Sequence, residues 1–218
     1  MKHFLDMGAH KLEGLKEFTE KLSIDKEWKV YSYEPNIFIQ EATRKVLEEI
    51  RDNYKSLEFF NKAIMDEEGY LIFNCHKGSW KDHKKDEYWE RMTTGSNALD
   101  VNPEYDIGNG VVFDCERYEV ECVDIEDILK SICTEDPDAE IWIKCDIEGS
   151  EFVVLPRIIE SEYVSHIKEM YIEWHERMWY HEGREGIQAK VKERQLYTAN
   201  LNKLFARITP EPSCATIL

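Results

Sequence analysis

The sequence lacks the features that mark several large classes of protein. Its six cysteines form no Cys-x-x-Cys pair and no Cys/His cluster at the spacing of metal ligands, so we interpret them as reduced thiols of a cytoplasmic protein. No segment approaches the roughly 20 apolar residues of a membrane-spanning helix. The apolar run at residues 4–9 is short and contains Asp6, which argues against a signal peptide. We therefore expect a cytoplasmic protein with no membrane association.

Positive charge is also scarce. The chain has 28 Lys and Arg residues against 45 Asp and Glu residues, a formal net charge of −17. A protein that neutralises phosphates presents basic stripes, and none is visible, so we expect no nucleic-acid partner. The length of 218 residues and the hydrophobic content of 42% predict a single α/β domain over residues 1–218 with a core of its own.

The N-terminal part of the chain carries the pattern on which the rest of the interpretation depends. Residues 4–10 (FLDMGAH) predict a buried strand that runs into a tight turn at Gly8. Residues 11–22 place apolar side chains at the spacing of one helix face, and residues 28–33 predict a second strand that ends at Glu34. Strand, glycine turn, helix, strand and acid together indicate the start of a nucleotide-binding α/β unit.

The spacing within the turn indicates which ligand it suits. The G-x-G-x-x-G pattern of dinucleotide folds is absent, because the turn has the pattern Asp6-x-Gly8 and the next glycine is Gly14. An acid in the turn would repel phosphate but suits an ammonium group. S-adenosylmethionine has an ammonium group, a sulfonium, a ribose and no phosphate, and the two carboxylate oxygens of Glu34 could accept both ribose hydroxyls. The alternative is a strand-turn-helix unit whose acids only cap the helix and keep the protein soluble.

The remaining elements are predicted from local apolar spacing and turn residues. They are a helix at 37–54, strands at 56–65 and 70–75, an irregular segment at about 76–117, a strand at 118–123, a short helix capped by Asp124, a strand at 139–147, a helix at 152–159, a strand at 167–174, a helix at 184–205 and two closing strands at 206–209 and 215–218. A loop region as long as the irregular segment is usually functional or mobile. Its Trp80 and Trp89 could bind a sugar ring or another amphipathic acceptor; the alternative is that they pack the loop onto the body of the domain.

A second group of polar residues ends the predicted strand at 139–147. At its carboxyl end lie Lys144, Asp146, Glu148 and Glu151. Open parallel sheets bind ligands at this end of their strands. Carboxylates this close repel one another unless a cation balances them, and either a sulfonium or a metal ion could do so. The alternative, acids that complement the dipole of a following helix, fits Glu148 and Glu151 better than Asp146.

His175 follows the predicted strand at 167–174, so it should emerge at the same edge of the sheet as Asp146. It is the leading candidate for a general base because an imidazole titrates near neutral pH, and nearby acids would raise its pKa and orient its ring. Asp146 is the rival base. In a third interpretation Asp146, Glu148 and Glu173 bind Mg²⁺, which would acidify a substrate hydroxyl. The remaining alternative for His175 is a surface residue without a role.

The order of these motifs resembles the FkbM family of S-adenosylmethionine-dependent methyltransferases over residues 4–175. The motifs are D-x-G-A-H, E-P-N, V-D-I-E-D-I-L, I-K-C-D-I-E-G-S-E and Y-I-E-W-H, and the segment at 144–151 (KCDIEGSE) is the most specific of them. The resemblance implies a class I, Rossmann-like methyltransferase fold, with a mostly parallel seven-stranded sheet, one antiparallel strand and helices on both faces. It also implies methylation of a hydroxyl, commonly on a sugar or polyketide, with S-adenosylhomocysteine as the product. We expect a small-molecule or glycan acceptor, first of all a deoxyhexose such as rhamnose or fucose.

The resemblance also implies roles for individual residues: the Gly8 turn at the methionine end of the donor, Glu34 on the ribose, and residues 63–66 near the adenine. The donor-binding residues expected are Asp6, Gly8, Ala9, His10, Glu34, Pro35, Asn36, Ala63, Ile64, Asp66 and Asp146. The catalytic residues expected are His175, Asp146 and Lys144, and the acceptor-binding residues expected are Trp80, Trp89, Glu148 and Glu173.

The sequence departs from the family pattern in two places. Leu12 stands where the family has a glycine about four residues after Gly8, and the family's upstream helices are absent. We therefore expect either a minimal version or one domain of a larger glycan-assembly protein. The alternatives to an O-methyltransferase are a non-catalytic domain that binds S-adenosylmethionine and a NAD-dependent oxidoreductase on a related fold. The missing G-x-G-x-x-G disfavours the second.

Overall fold

The structure, a computed structural model, describes residues 1–77, 98–99, 114–204 and 207–210; for residues 76–77, 114–115, 180–181 and 207–210 it describes the backbone alone. The strands are β1 (Lys2–Met7), β2 (Trp28–Tyr33), β3 (Ser56–Phe60), β4 (Ala63–Met65), β5 (Gly69–Lys77), β6 (Asp114–Asp124), β7 (Glu140–Cys145), β8 (Ile167–Ile172) and β9 (Arg207–Pro210). The α-helices are α1 (Glu13–Leu22), α2 (Gln40–Ile50), α3 (Ile125–Glu135), α4 (Glu151–Glu160) and α5 (Gly183–Leu204). Short 3₁₀ helices cover Ile37–Ile39, Arg51–Asn53, Val164–His166 and Glu176–Glu182.

The described strands build a main sheet of six, in the order β3-β2-β1-β7-β8-β9, and every pairing in it is parallel. The chain runs outward from β1 to β3 and then returns to place β7 on the other side of β1. The carboxyl ends of β1 and β7 therefore meet at a topological switch point, where open α/β sheets bind ligands. In the register of these strands, Asp6 stands opposite both Ser32 and Lys144.

The core lies on both faces of this sheet. Successive side chains of a strand point to opposite faces, so Phe4 packs in one cluster with Leu15 and Phe18 of α1, whereas Leu5 packs in the other with helices α3 and α4. Both faces of β1 are thus buried, and this burial includes the polar side chains of His3 and Asp6. The predicted Rossmann-like α/β class, with helices on both faces, is confirmed.

The predicted strand count is wrong in one respect. We expected seven strands with one antiparallel member, but in the described part of the chain the main sheet is wholly parallel, and the antiparallel pairing lies in a separate three-stranded sheet, β4-β6-β5. The predicted strand at 56–65 is divided between the two sheets, because β3 pairs with β2 and β4 pairs with β6. At the break, the amide Nδ2 of Asn61 donates to the carbonyl oxygen of Glu34.

Several predicted boundaries are also corrected. The helix expected at 37–54 is α2 with a 3₁₀ turn at each end. Strands β5 and β6 extend into the segment expected to be irregular, so that the stretch between them is 78–113, of which 98–99 are described. Asp124 caps α3 as predicted, since its carboxylate accepts from the backbone N–H of Glu126 at 2.8 Å. The closing strand at 206–209 is β9, and the one at 215–218 lies outside the described residues.

We expected reduced cysteines and no membrane-spanning helix. The side chains of Cys75, Cys122, Cys133 and Cys145 are buried. Among the helices of the described ranges, none combines the length and the apolar character needed to cross a membrane.

Candidate functional site

A cavity of about 370 Å³ opens at the carboxyl edge of the main sheet, above β1, β2 and β7. Its described lining consists of Gly8, Ala9, His10, Glu13, Gly14, Glu17, Tyr33, Glu34, Pro35, Lys62, Ala63, Ile64, Phe73, Ala98, Lys144, Asp146, Ile147, Glu148 and Ser150. The volume lies in the range typical of small-molecule and cofactor sites. One wall is apolar and comes from the three-stranded sheet; the other is acidic and comes from the ends of β2 and β7.

The turn after β1 is clamped between its two neighbouring strands. The backbone N–H groups of Gly8 and Ala9 both donate to the carbonyl oxygen of Tyr33, at 3.0 Å each. On the other side, a Cβ placed on Gly8 would lie 1.7 Å from the carbonyl oxygen of Asp146. Gly8 also has φ +81°, in the left-handed region that only glycine enters without strain. The turn therefore requires glycine for its conformation and for the close approach of β7.

Glu34 lies at the end of β2 and is almost completely buried. Its Oε2 accepts from the backbone N–H of His10 and its Oε1 accepts from the backbone N–H of Asn36, both at 2.9 Å. Burial raises the pKa of this carboxyl, while the two backbone hydrogen bonds oppose the rise. Each oxygen has a second lone pair, so the carboxylate can accept two further hydrogen bonds from a ligand in the cavity.

Lys144 and Asp6 form a buried ion pair beneath the turn. The ammonium Nζ of Lys144 donates to the carbonyl oxygen of Gly8 at 2.8 Å and lies 3.2 Å from Asp146 Oδ2 and 3.4 Å from Asp6 Oδ1. Asp6 is fully buried; burial raises its pKa and the neighbouring Lys144 opposes that rise. The acid that the sequence places in the turn thus pairs with a lysine below it and is not among the described residues of the cavity wall.

At the end of the site away from Glu34, called the far end below, charged side chains cluster around His175. Its Nδ1 lies 3.0 Å from Glu151 Oε1, and its Nε2 lies 3.3 Å from Glu173, 3.4 Å from Glu148 and 3.8 Å from Asp146. The side chain is 2% exposed, so the interpretation as a surface residue is wrong. Burial alone would lower the pKa of His175, but its hydrogen bonds to Glu151 and Glu173 and the surrounding negative charge raise it to about 11. At neutral pH the ring is therefore an imidazolium, which has no lone pair with which to accept a proton.

Glu151, the first residue of α4, holds this end together. It is fully buried, and besides His175 its oxygens accept from the backbone N–H groups of Ile147 at 3.0 Å and Gly149 at 2.9 Å. The sequence suggested only a helix-terminal acid. Its position two residues after Gly149 could have indicated this role, because a carboxylate there can accept hydrogen bonds from the backbone N–H groups of the preceding loop.

Glu148 stands on the tight loop between β7 and α4. It has φ +51°, an unusual value for a residue with a side chain, and burial raises its pKa to about 7. Gly149 follows at φ +103°, where a Cβ would lie 2.8 Å from Leu99 Cδ1 and 2.9 Å from Met178 Cβ. The indole N–H of Trp179 donates to the carbonyl oxygen of Gly149 at 3.0 Å. Packing on both sides thus holds the loop so that Glu148 lines the cavity.

One arrangement in this cluster could accept a divalent cation. Asp146, Glu148 and His175 each offer one ligand atom, and these atoms lie within 4.8 Å of one another. This group differs from the predicted one, in which Glu173 took the place of His175. An ion here would have to replace the imidazolium proton, and a nitrogen ligand suits Mg²⁺ less well than an all-oxygen set. The described side chains therefore do not favour Mg²⁺ at this place.

The structure brings most of the predicted donor-binding residues together. The cavity wall contains Gly8, Ala9, His10, Glu34, Pro35, Ala63, Ile64 and Asp146, and also Lys144 and Glu148. Its described part does not contain Asp6, Asn36 or Asp66: Asn36 is buried behind Glu34, and Asp66 is exposed beyond β4. Glu173 and His175 lie behind Asp146 and Glu148. Trp80 and Trp89 lie outside the described residues.

Sequence reasoning missed the other half of the wall. The additional lining residues are Glu13, Gly14, Glu17, Tyr33, Lys62, Phe73, Ala98, Ile147 and Ser150. Glu13 and Glu17 could have been predicted as lining residues. Residues four apart share a helix face, and the start of α1 faces the switch point.

A parallel α/β sheet with a ligand-sized cavity at its switch point places this protein in the Rossmann-like class. Within that class, the family model of the methyltransferase FkbM domain matches residues 6–208, so the chain belongs to that family of methyltransferases. The resemblance drawn from the motifs is confirmed.

A solved structure, the methyltransferase FkbM from Methylobacillus flagellatus KT, is similar to 77% of this chain at 15% sequence identity, with a TM-score of 0.43. The matched region corresponds to 33% of that chain, so this chain spans about a third of its length. No curated protein matches the sequence.

Proposed function

We propose that this protein transfers a methyl group from S-adenosylmethionine to a hydroxyl of a small-molecule or glycan acceptor, in the first place a deoxyhexose, in the cytoplasm. The observation that carries the proposal is the carboxylate of Glu34. It is buried at the end of β2, oriented by two backbone N–H groups, and lines a cavity that begins at a glycine turn. Such a carboxylate can accept hydrogen bonds from the two vicinal hydroxyls of a ribose. The turn after β1 lacks the G-x-G-x-x-G pattern of phosphate-binding loops, which agrees with a nucleoside that carries no phosphate.

The cavity wall supports one orientation of this donor. The adenine would lie against the apolar wall of Ala63, Ile64 and Phe73, and the ribose would lie on Glu34. The methionine end would then extend past the Gly8 turn and bring the sulfonium toward Asp146. The positive sulfonium is stabilised by the negative charge at this end of the cavity.

The transfer is an in-line displacement. The acceptor oxygen attacks the methyl carbon, the carbon–sulfur bond breaks with its electron pair on sulfur, and S-adenosylhomocysteine leaves as a neutral thioether. The hydroxyl proton must go to a base. His175 is protonated at neutral pH, so we propose that a carboxylate takes this role: Glu148, whose pKa of about 7 lies near working pH, before Asp146. Holding the two reactants in line supplies much of the rate.

The first test measures donor binding. S-adenosylhomocysteine should raise the thermal unfolding temperature through mass action, and NADH should not, because the cavity wall is rich in carboxylates that repel a pyrophosphate. Glu34→Ala should weaken binding of S-adenosylhomocysteine by about tenfold or more in calorimetry, since a hydrogen bond to a charged group contributes about 1.5–3 kcal/mol. Glu58→Ala, at an exposed acid of β3, is the matched control. Stabilisation by NADH alone would instead support the oxidoreductase alternative.

The second test measures turnover. Glycan and nucleotide-sugar mixtures incubated with protein and methyl donor should gain methyl groups in mass spectrometry. Turnover that is lost with a chelator and restored by Mg²⁺ would move the role of activating the hydroxyl from a carboxylate to a metal ion. A protein that binds S-adenosylhomocysteine but methylates no acceptor in such a panel would support the non-catalytic binding domain.

A further inference from the structure

The side chain of Lys144 joins three parts of the donor end of the site. Its ammonium donates to the carbonyl oxygen of Gly8 at 2.8 Å, and it lies 3.2 Å from Asp146 and 3.4 Å from Asp6. The residue is 2% exposed although it contributes to the cavity wall. One cation thus connects the end of β1, the turn that follows it and the end of β7.

These contacts complete the clamp on the turn. The N–H groups of Gly8 and Ala9 are fixed by the carbonyl oxygen of Tyr33 on β2, and the carbonyl oxygen of Gly8 is fixed by Lys144 on β7. The peptide groups of the turn are therefore held from both neighbouring strands. A loss of the ammonium would release the carbonyl oxygen of Gly8 and leave the backbone hydrogen bonds to Tyr33 and Met7 intact.

Gly14 provides the room that this side chain needs. A Cβ on Gly14 would lie 2.9 Å from Lys144 Cε, 3.5 Å from Cδ and 3.6 Å from Nζ. A glycine at position 14 in the first turn of α1 thus lets the helix pass over the lysine stem. This contact gives Gly14 a function that the spacing of the turn motif did not predict.

We propose that Lys144 is a positioning residue for the methyl donor, which holds the Gly8 turn in the conformation that accepts the methionine end, with Gly14 as its partner. The inference rests on the proposed function. It replaces the expected catalytic role, because an ammonium that is engaged by three oxygen atoms has no lone pair for a proton. A positioning role also predicts that the effect of Lys144 depends on Gly14, since the two side-chain positions share one space.

The experiment is a double-mutant cycle read by calorimetry with three ligands: S-adenosylhomocysteine, its decarboxylated analogue and adenosine. The proteins are the wild type, Gly14→Ala, Lys144→Ala and the double variant. Lys16→Ala, at an exposed position of α1, is the control. Each single variant should weaken S-adenosylhomocysteine and the decarboxylated analogue alike by about tenfold or more, and adenosine much less, because a displaced turn affects the amino-acid end. In the Lys144→Ala background, Gly14→Ala should have no further effect on affinity.

Each other outcome contradicts the inference in a different way. If Lys144→Ala weakens S-adenosylhomocysteine but spares the decarboxylated analogue, Lys144 contacts the donor carboxylate directly and is not a positioning residue. If Gly14→Ala weakens binding equally in both backgrounds, its methyl group obstructs the cavity itself. If Lys144→Ala does not fold, the affinity of Gly14→Ala for S-adenosylhomocysteine tests the inference by itself. Unchanged affinity in that folded variant overturns the inference. A wild type that binds none of the three ligands refutes the proposed function together with the inference.

Discussion

The two ends of the cavity are built from different interactions. At the proposed donor end, backbone N–H groups hold Tyr33 to the Gly8 turn and orient Glu34, and the ammonium of Lys144 adds to them. At the far end, His175 and the Glu148 loop are held by the charged side chain of Glu151. The backbone hydrogen bonds of the donor end do not themselves titrate, but the close approach of the strands leaves no room for an added atom. A scaffold of buried charges tolerates small changes of shape but depends on each ionised group.

The strongest way to break the donor end is to add one carbon atom to the turn. Gly8→Ala should abolish measurable binding of S-adenosylhomocysteine, because its Cβ would lie 1.7 Å from the carbonyl oxygen of Asp146 and the two strands would have to separate. Gly183→Ala is a matched control with φ +72°, and no atom of the described residues lies within 4 Å of the added Cβ. It carries only the backbone strain, roughly 1–3 kcal/mol. Thermal unfolding and calorimetry on both variants should therefore separate the clash from the strain, and equal behaviour of the two would contradict this account.

The far end should be disrupted by a substitution that adds no heavy atom. In Glu151→Gln, one amide cannot accept all three of the hydrogen bonds that the carboxylate accepts. The free energy of unfolding should fall by roughly 3–5 kcal/mol, as for the loss of one partner of a buried ion pair. The methylation rate should fall about a hundredfold or more, while the affinity for S-adenosylhomocysteine stays within about threefold, because Glu151 holds only the far end.

Glu160→Gln, at the exposed end of the same helix, is the control for Glu151→Gln. It should change neither unfolding, rate nor affinity. A Glu151→Gln protein that loses donor affinity and rate to the same extent would show that the two ends are not independent.

The sequence predicted those parts of the site that depend on local pattern. The buried strand β1, the spacing of Leu15 and Phe18 in α1 and the position of Glu34 after β2 follow from the local pattern of apolar residues. Each of these elements is confirmed, and their parallel arrangement places Glu34 beside the Gly8 turn. The division of residues 56–65 between two sheets was not predictable in this way, because it depends on which distant strand each half pairs with.

The charged contacts of the site depend on register and on pairs far apart in sequence. Asp6 pairs with Lys144 across two strands, and His175 meets Glu151 from a different strand and helix. The sequence indicated that nearby acids would raise the pKa of His175, and this is confirmed. It did not indicate that the shift is large enough to leave the ring protonated, because burial and the number of carboxylates are set by tertiary packing.

The smallest expected effect is a pH dependence of stability that distinguishes two buried histidines. Burial lowers the pKa of His3, and its hydrogen bond to Asp136 opposes this without reversing it. His3 therefore contributes stability above pH 6.5 that is lost as the pH falls. The pKa of His175 is raised from 6.5 to about 11, so its contribution is complete below pH 6.5 and is lost as the pH rises toward 11. The contributions of His3 and His175 to stability therefore change with pH in opposite directions.

Thermal unfolding between pH 7 and 9 tests the His175 contribution. In a Glu148→Gln background, where the titration of Glu148 is removed, the protein with His175 should lose stability with rising pH at a slope of at most about 1.4 kcal/mol per pH unit. The same protein with His175→Gln should lack that slope, since nothing at this position then releases a proton. A His3→Gln variant should keep it, because His3 is neutral throughout this range. Equal slopes with and without His175 would mean that the ring is already neutral at pH 7, and His175 would again be the first candidate for the base.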